Sequence, residues 1–173
     1  MPKYYNKYTK NEEKMLWDYG GYIPLTNEEA IELTYFLAGI YGHGTFNLNL
    51  RFRKNSRGSC TRYNDGQYRI RLPYYPELHQ VLHEIAHLVQ FTENGDSKHN
   101  KKLMTIVQEL YQHCLWSNLV KVILYKRMAE LDWNLPTRKY LMKVARKLGL
   151  NGVAFELLAT NAFPVSKKAE ESR

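Results

Sequence analysis

Residues 78–91 read LHQVLHEIAHLVQF, and the rest of the chain is interpreted outward from this stretch. Its apolar residues recur every three to four positions, which predicts a largely buried amphipathic helix. His83 and His87 are four residues apart, so both imidazoles lie on one helix face and can reach one cation. Glu84 borders the same face, where it can deprotonate a water molecule instead of binding the metal. The stretch therefore predicts a helix that carries part of a metal site.

A catalytic zinc ion needs a third protein ligand and one open position. His99 follows His87 by twelve residues, after a turn-rich loop and just before a new helical pattern. We therefore predict His99 as the third ligand. Glu109, on the next helix, is an alternative, although its place in the pattern also suits an exposed residue. His79, one turn before the motif, is a further alternative, but a site built on it would leave His87 without a role.

The segment before this helix predicts a small antiparallel sheet. Residues 46–53 alternate strictly, which favours a strand with the apolar side chains of Phe46, Leu48, Leu50 and Phe52 on one face. Residues 59–72 predict a β-hairpin, because Asn64-Asp65-Gly66 tolerates the positive φ of a tight turn. Pro76 suits the first turn of the following helix, where its missing N–H costs nothing.

Helices are predicted on both sides of this core. Thr26 or Asn27 can cap a helix that ends near Gly39 or Gly42. Its expected buried stripe is Ile31, Thr34, Tyr35, Leu37 and Ala38. A second helical pattern begins near Asn100 with a break at 117–118, and its expected stripe is Leu103, Ile106, Val107, Leu110, Cys114, Leu119, Val122 and Ile123. Two short helices are expected after Pro136.

Length and composition indicate one folded domain of 173 residues, with 44% hydrophobic content and a formal net charge of +8. The predicted organisation is a flexible arm (1–22), a metal-binding domain (23–131) and a basic helical extension with a charged tail (132–173). Cys60 and Cys114 are too few for a disulfide scaffold and suit small core residues. Neither a secretory signal nor a membrane-spanning run is recognised, so a soluble cytoplasmic protein without a membrane partner is expected.

The positive charge favours contact with nucleic acid without establishing it. The helical extension carries five basic residues: Arg138, Lys139, Lys143, Arg146 and Lys147. These side chains suit non-specific binding of DNA phosphates, or equally the solvated face of an amphipathic helix. The arginines on the polar face of the sheet allow the same two interpretations. The sequence does not indicate an oligomeric state.

YRIRLPYYPELHQVLHEIAHLVQF (68–91) and SKHNKKLMTIVQEL (97–110) together resemble the SprT-like, Spartan-type zinc metallopeptidases. The likeness covers about residues 25–125 and rests on ordered elements: a strand, the HExxH helix, a loop and a third histidine that opens a helix. The resemblance implies an α+β, zincin-like domain that binds Zn²⁺ through His83, His87 and His99, with Glu84 as the catalytic base. Leu103 occupies the apolar position four residues after the third histidine.

The activity implied by this resemblance is that of a zinc-dependent endopeptidase, in which a metal-activated water attacks a peptide bond. The polypeptide substrates would include DNA-associated proteins. Asn100 replaces a common glycine and could instead cap the helix that follows. Two cysteines cannot build the C-terminal zinc ribbon of many members, so the chain resembles the short, sometimes phage-encoded form. The alternative is a zinc-containing but non-proteolytic protein that binds or regulates a nucleic-acid complex.

Overall fold

The computed structural model describes residues 18–54, 57–129 and 135–149. The predicted arm and tail therefore lie mostly outside the described residues. Within these ranges the chain forms helices and strands in the order α1 (Asn27–Ile40), β1 (Leu48–Arg53), β2 (Ser59–Arg62), β3 (Tyr68–Pro73), α2 (Leu78–Asn94), α3 (Lys101–Trp116), α4 (Leu119–Ala129) and α5 (Leu135–Lys147). The fold is thus α+β, as predicted.

The three strands form one sheet in the order β1-β3-β2. The predicted hairpin is confirmed: β2 and β3 pair antiparallel, and Gly66 turns the chain at φ 80°. The expectation of an entirely antiparallel sheet is wrong, because β1 pairs with β3 in parallel. Alternating hydrophobicity identifies a buried strand face but carries no information on strand direction. Strands β1 and β2 lie on opposite sides of β3, one parallel and the other antiparallel to it, so the sheet is mixed.

Strand β1 begins at Leu48, two residues later than predicted. Phe46 is 77% exposed and lies in a turn, where the Gly44 N–H donates to the Asn47 side-chain oxygen at 3.0 Å. The interpretation of Phe46 as an inward-facing strand residue is therefore wrong. Leu48 is buried, and Leu50 and Phe52 pack against the core as half-buried side chains.

Helix α1 begins at the predicted cap. The Glu29 N–H donates to Thr26 Oγ1 at 3.1 Å, and the Thr26 N–H donates to Glu29 Oε2 at 2.9 Å. This reciprocal pair satisfies two backbone donors at the start of the helix. The buried residues are Ala30, Leu33, Thr34, Leu37 and Ala38, so the stripe is rotated from the predicted one. Ile31, expected to be buried, is 40% exposed.

Helix α2 is the centre of the fold, because it packs on the sheet, on α1 and on α3. Pro76 precedes the helix instead of entering its first turn, and its carbonyl accepts from the Leu25 N–H at 2.8 Å. The first backbone donors of α2 bond to the N-terminal segment: Leu78 to the Ile23 carbonyl and His79 to the Gly21 carbonyl, both at 2.9 Å. Residues 18–22 of the predicted arm thus include a contact that fixes the start of this helix.

Helices α3 and α4 separate at the predicted break, where Asn118 adopts φ 59°. Asparagine tolerates this left-handed conformation better than most residues. The predicted stripe is confirmed along α3, whereas Val122 on α4 is 45% exposed. No helix in the described part of the chain is long and apolar enough to cross a bilayer.

Candidate metal centre

Three histidines converge beside the sheet. Two of them, His83 and His87, lie one turn apart on the buried helix α2, and His99 comes from the loop between α2 and α3. The His83 Nε2 atom is 3.1 Å from that of His99 and 3.2 Å from that of His87. The His87 and His99 Nε2 atoms are 3.3 Å apart. This brings together the three residues predicted as ligands.

The triangle of nitrogen atoms has the dimensions of a metal site. Ligands at about 2.0–2.1 Å from a tetrahedral zinc ion lie about 3.3–3.4 Å from one another, close to the observed spacing. Burial, followed by the charges of His83 and His99, lowers the pKa of His87 to about 3. His87 is therefore neutral at physiological pH, which is the form that binds a metal. The three histidines could hold one metal ion.

Glu84 is buried beside this cluster, with 6% of its surface exposed. Burial raises the pKa of Glu84 to about 7, while His83 and Arg53 act in the opposite direction. A carboxylate whose pKa lies near neutral is well matched to general-base work at that pH. The arrangement thus combines a set of metal ligands with one adjacent proton acceptor.

Gly58, just before β2, makes room for this carboxylate. A β-carbon built on Gly58 would lie 2.3 Å from Glu84 Oε1 and 2.7 Å from both Cγ and Cδ. Such distances are below van der Waals contact, so any side chain at this position would displace Glu84. Arg53 supports the same loop, since its Nη2 atom donates to the Arg57 carbonyl at 2.9 Å.

The loop that carries His99 is fastened to α2 by Gln90, one helical turn after His87. The Gln90 side-chain amide is fully buried and donates to the Lys98 carbonyl at 3.0 Å and to Asn100 Oδ1 at 3.2 Å. These bonds hold the residues on both sides of His99, Lys98 by its backbone and Asn100 by its side chain. Asn100 Oδ1 also accepts from the Leu103 N–H at 3.1 Å, which caps α3 as predicted.

The alternative ligands lie elsewhere. His79 is fully buried, and its Nδ1 atom is 2.8 Å from the Tyr111 hydroxyl. Its ring centroid is 6.0 Å from that of His83. Glu109 is exposed and lies near Tyr41, where burial and this carboxylate raise the pKa of the Tyr41 phenol to about 12. Among the described residues neither joins the group that could hold a metal.

The sequence did not single out Gly58 or Gln90, and it placed Arg53 only among the arginines on the polar face of the sheet. Gln90 had a detectable signal, because position i+3 from His87 lies on the ligand-bearing face of the helix. The contacts of Gly58 with Glu84 and of Arg53 with the Arg57 carbonyl gave no comparable signal, since they join segments that are brought together only by tertiary packing. Cys60 is half-buried on the sheet face toward α2, and burial followed by Glu84 raises the pKa of its thiol. Cys114 is fully buried in the core, as predicted.

The predicted nucleic-acid residues lie on α5. Lys143, Arg146 and Lys147 are exposed, and Lys147 Nζ is 3.5 Å from the Asp18 carboxylate. The side chains of Arg138 and Lys139 fall outside the described part of the structure. The role of these five residues in DNA binding remains a prediction.

Comparison with protein-family models, with curated proteins and with solved structures finds no match to this chain. The functional argument therefore depends on the residues and geometry of the site.

Proposed function

We propose that this protein is a zinc-dependent endopeptidase of the SprT-like, zincin-like type. The observation that carries the proposal is the His83, His87 and His99 triangle, whose Nε2 atoms lie 3.1–3.3 Å apart, next to the buried Glu84. A purely structural zinc site is normally closed by four protein ligands. Three ligands with an adjacent carboxylate leave room for a water molecule and a substrate, which is the arrangement of a catalytic site.

The composition of the site favours zinc among the common metals. Imidazole ligands suit zinc, whereas calcium and magnesium prefer oxygen ligands. When bound, a zinc ion supplies a Lewis acid that polarises a carbonyl oxygen and lowers the pKa of water to about 7. The three imidazoles orient this acid, and burial of two of them limits the access of bulk solvent to the site.

Glu84 carries the proton in the proposed reaction. Its carboxylate accepts a proton from the attacking water as the new carbon–oxygen bond forms. It then delivers that proton to the amide nitrogen as the carbon–nitrogen bond breaks, so that the products are a carboxylic acid and an amine, which ionise at neutral pH to a carboxylate and an ammonium group. Gly58 leaves room for the carboxylate at this position. Because Glu84 lies between His83 and His87 on the same helix, the helix backbone fixes its distance from the two ligands.

The polypeptide substrate is proposed to add to the sheet at β2. This strand pairs with β3 on one side, and no described strand pairs with its other edge. Gly58 lies just before β2 and packs against Glu84, so a chain paired along this edge would run past the carboxylate. Strand addition would bind the backbone of many sequences, with selectivity left to side-chain contacts.

The test compares wild-type protein with Glu84→Gln and His83→Ala. Zinc content is measured by elemental analysis, and cleavage of casein and of the protein itself is measured with and without DNA. Wild type is expected to bind zinc and cleave. Glu84→Gln should keep zinc and lose cleavage, because an amide cannot accept the proton, whereas His83→Ala should lose both.

The outcome also separates the rival function. A wild-type protein that binds zinc but cleaves none of the substrates, with DNA or without it, would refute the endopeptidase and favour a zinc-containing binding protein. Equal cleavage by wild type and Glu84→Gln would remove Glu84 from the mechanism. DNA-associated proteins become the favoured substrates if added DNA accelerates cleavage only by the wild type.

A further inference from the structure

Residues 18–25, which we call the N-terminal strap, supply hydrogen-bond acceptors at the start of the metal-binding helix α2. The first backbone N–H groups of an α-helix have no partner within the helix and need one from outside it. In α2 the Leu78 N–H donates to the Ile23 carbonyl and the His79 N–H donates to the Gly21 carbonyl, both at 2.9 Å. The strap therefore fixes the first turn of this helix.

The strap also runs alongside the link that leads into α2. The Leu25 N–H donates to the Pro76 carbonyl at 2.8 Å, and Pro24 forms an antiparallel β-bridge with Glu77. Glu77 is the residue that precedes the first helical position of α2. The start of the metal-binding helix is thus held by backbone contacts on both sides of this residue.

The strap is held in turn by the C-terminal helices. The Tyr22 N–H donates to the Tyr140 hydroxyl of α5 at 3.0 Å, and the two rings meet edge to face with centroids 5.6 Å apart. On α4, Arg127 Nε donates to the Pro24 carbonyl at 2.7 Å. Tyr22 lies between the two strap residues whose carbonyls accept from α2. Its backbone therefore joins α5 directly to the start of α2.

The Tyr140 hydroxyl is a largely buried polar group. Burial raises the pKa of Tyr140, the hydrogen bond from the Tyr22 N–H opposes this change, and the Glu77 carboxylate raises the pKa further. A buried hydroxyl costs free energy unless it is hydrogen-bonded, whereas a phenylalanine would fill the same space without that cost. The bond to the strap accounts for a tyrosine at this position.

Side chains continue the path from the strap toward the metal centre. The Tyr19 ring packs against that of Tyr111 on α3 at a centroid distance of 6.0 Å, and the Tyr111 hydroxyl is 2.8 Å from His79 Nδ1. His79 precedes the ligand His83 by one helical turn, and their ring centroids are 6.0 Å apart. The strap thus reaches His79 through its backbone and, by way of Tyr111, through its side chain.

We propose that Tyr140 is a positioning residue for the metal centre and acts through the N-terminal strap on the first turn of α2. Each turn of an α-helix is hydrogen-bonded to the next, so the position of His79 sets that of His83. Helix α5 and the metal centre are thereby coupled, and a displacement of one changes the other. The inference rests on the proposed zinc site and not on proteolysis.

The experiment compares Tyr140→Phe with the matched control Tyr35→Phe. Phenylalanine keeps the ring of Tyr140 and removes only the hydroxyl that accepts from the strap. The Tyr35 hydroxyl also bonds to backbone, because it donates to the Leu48 carbonyl at 3.4 Å, but this bond joins α1 to β1 and does not involve the strap. Hydrogen exchange of individual amides in the metal-free proteins measures the bonds at the start of α2. Competition with a chromophoric chelator measures zinc affinity.

The amides of Leu78 and His79 should exchange about 2- to 10-fold faster in Tyr140→Phe, since one hydrogen bond contributes about that much. The Leu88 amide, further along the same helix, should exchange as in the wild type. Zinc affinity should fall by a similar factor. The absorption spectrum of the cobalt(II)-loaded protein should also change, because it reports ligand geometry, which a loss of global stability alone does not alter. Tyr35→Phe should match the wild type in every measurement.

A further measurement requires only the wild type. Because coupling between two sites is reciprocal, zinc should slow exchange of the Tyr22 amide beyond the uniform slowing that global stabilisation causes. If Tyr140→Phe does not fold, the absence of this effect at Tyr22 would by itself overturn the proposal.

Two results with the folded variant would also overturn it. The first is that Tyr140→Phe leaves the exchange at Leu78 and His79, or the zinc affinity, unchanged. The second is an equal loss in Tyr35→Phe, which would assign the effect to general destabilisation. Both results leave the proposed function intact, whereas that function fails if the wild type itself binds no zinc or cleaves no substrate.

Discussion

Gln90 Nε2 donates a hydrogen bond of 3.2 Å to Asn100 Oδ1, and this bond joins the helix of His83 and His87 to the loop of His99. The orientations of both amides follow from their backbone partners. Gln90 must present its nitrogen to the Lys98 carbonyl, and Asn100 must present its oxygen to the Leu103 N–H. The third ligand is thereby held by side chains that do not bind metal themselves.

Replacing Gln90 with methionine should weaken metal binding. Methionine has a similar length but cannot donate to Lys98 or Asn100, so His99 would lose the contacts that position it. Loss of such supporting bonds typically lowers metal affinity about tenfold or more. The measurement is zinc affinity by competition with a chromophoric chelator. The matched control is Gln108→Met, on the exposed face of α3, and equal affinities in both variants would contradict the role assigned to Gln90.

Substitution of Gly58 by alanine should impair catalysis while leaving zinc in place. The added methyl group would meet Glu84 Oε1 at 2.3 Å, so the carboxylate must move away from the position where it accepts a proton. A loss of about 10²-fold in kcat is expected, because general-base catalysis contributes about 10²–10⁴-fold.

The control for Gly58→Ala is Gly39→Ala in helix α1. Nothing lies within 4 Å of a β-carbon at Gly39, and alanine favours the helix. This control should keep wild-type activity with equal or higher stability. A kcat of Gly58→Ala equal to that of the wild type would show that displacing the Glu84 carboxylate does not impair catalysis.

Removal of the metal should lower the thermal stability. A metal that binds only the folded state adds about 4 kcal/mol to the free energy of unfolding when free zinc exceeds its Kd about a thousandfold. For a chain of this size, that difference lowers Tm on the order of 10 °C. The measurement is calorimetry with zinc and with EDTA. His83→Ala should have the same Tm in both conditions, and an EDTA effect that persisted in this variant would place the stabilising metal elsewhere.

Acid should destabilise the fold partly through His43, which links α1 to α2. Its Nε2 atom is 2.9 Å from Thr92 Oγ1, and its Nδ1 atom is 3.2 Å from Asn47 Nδ2. Burial lowers the pKa of His43 from its ordinary value of 6.5. The unfolded chain therefore binds a proton that the folded chain resists, so stability falls as the pH drops below about 6.5, until His43 is protonated in the folded state too.

Urea unfolding at pH 7.5 and pH 5, with chelator present throughout, measures this contribution. Wild type should lose more stability between the two pH values than His43→Gln, by up to about 1.4 kcal/mol for each pH unit. The difference between the proteins isolates His43, because the other histidines are common to both. Parallel losses would mean that His43 takes up its proton equally in the folded and unfolded states.

Local sequence signals predicted much of the fold. Thr26 and Asn100 cap their helices, Gly66 turns the hairpin, and the chain breaks at Asn118 as expected. Each of these features is formed by contacts between residues within a few positions of one another. The predictions that failed concern orientation against distant partners: the direction of β1, the exposure of Phe46 and the rotation of the buried stripe on α1 away from Ile31.

The sequence by itself determined that His83, Glu84 and His87 share one region of a buried helix, because the helical repeat places them there. Only the tertiary structure decided that His99 completes the triangle instead of Glu109, since the loop is held by Gln90. It also decided that Gly58 lies against Glu84 and that Arg51 faces Arg71. These relationships join segments far apart in the chain, and long-range packing fixes them where local periodicity carries no information.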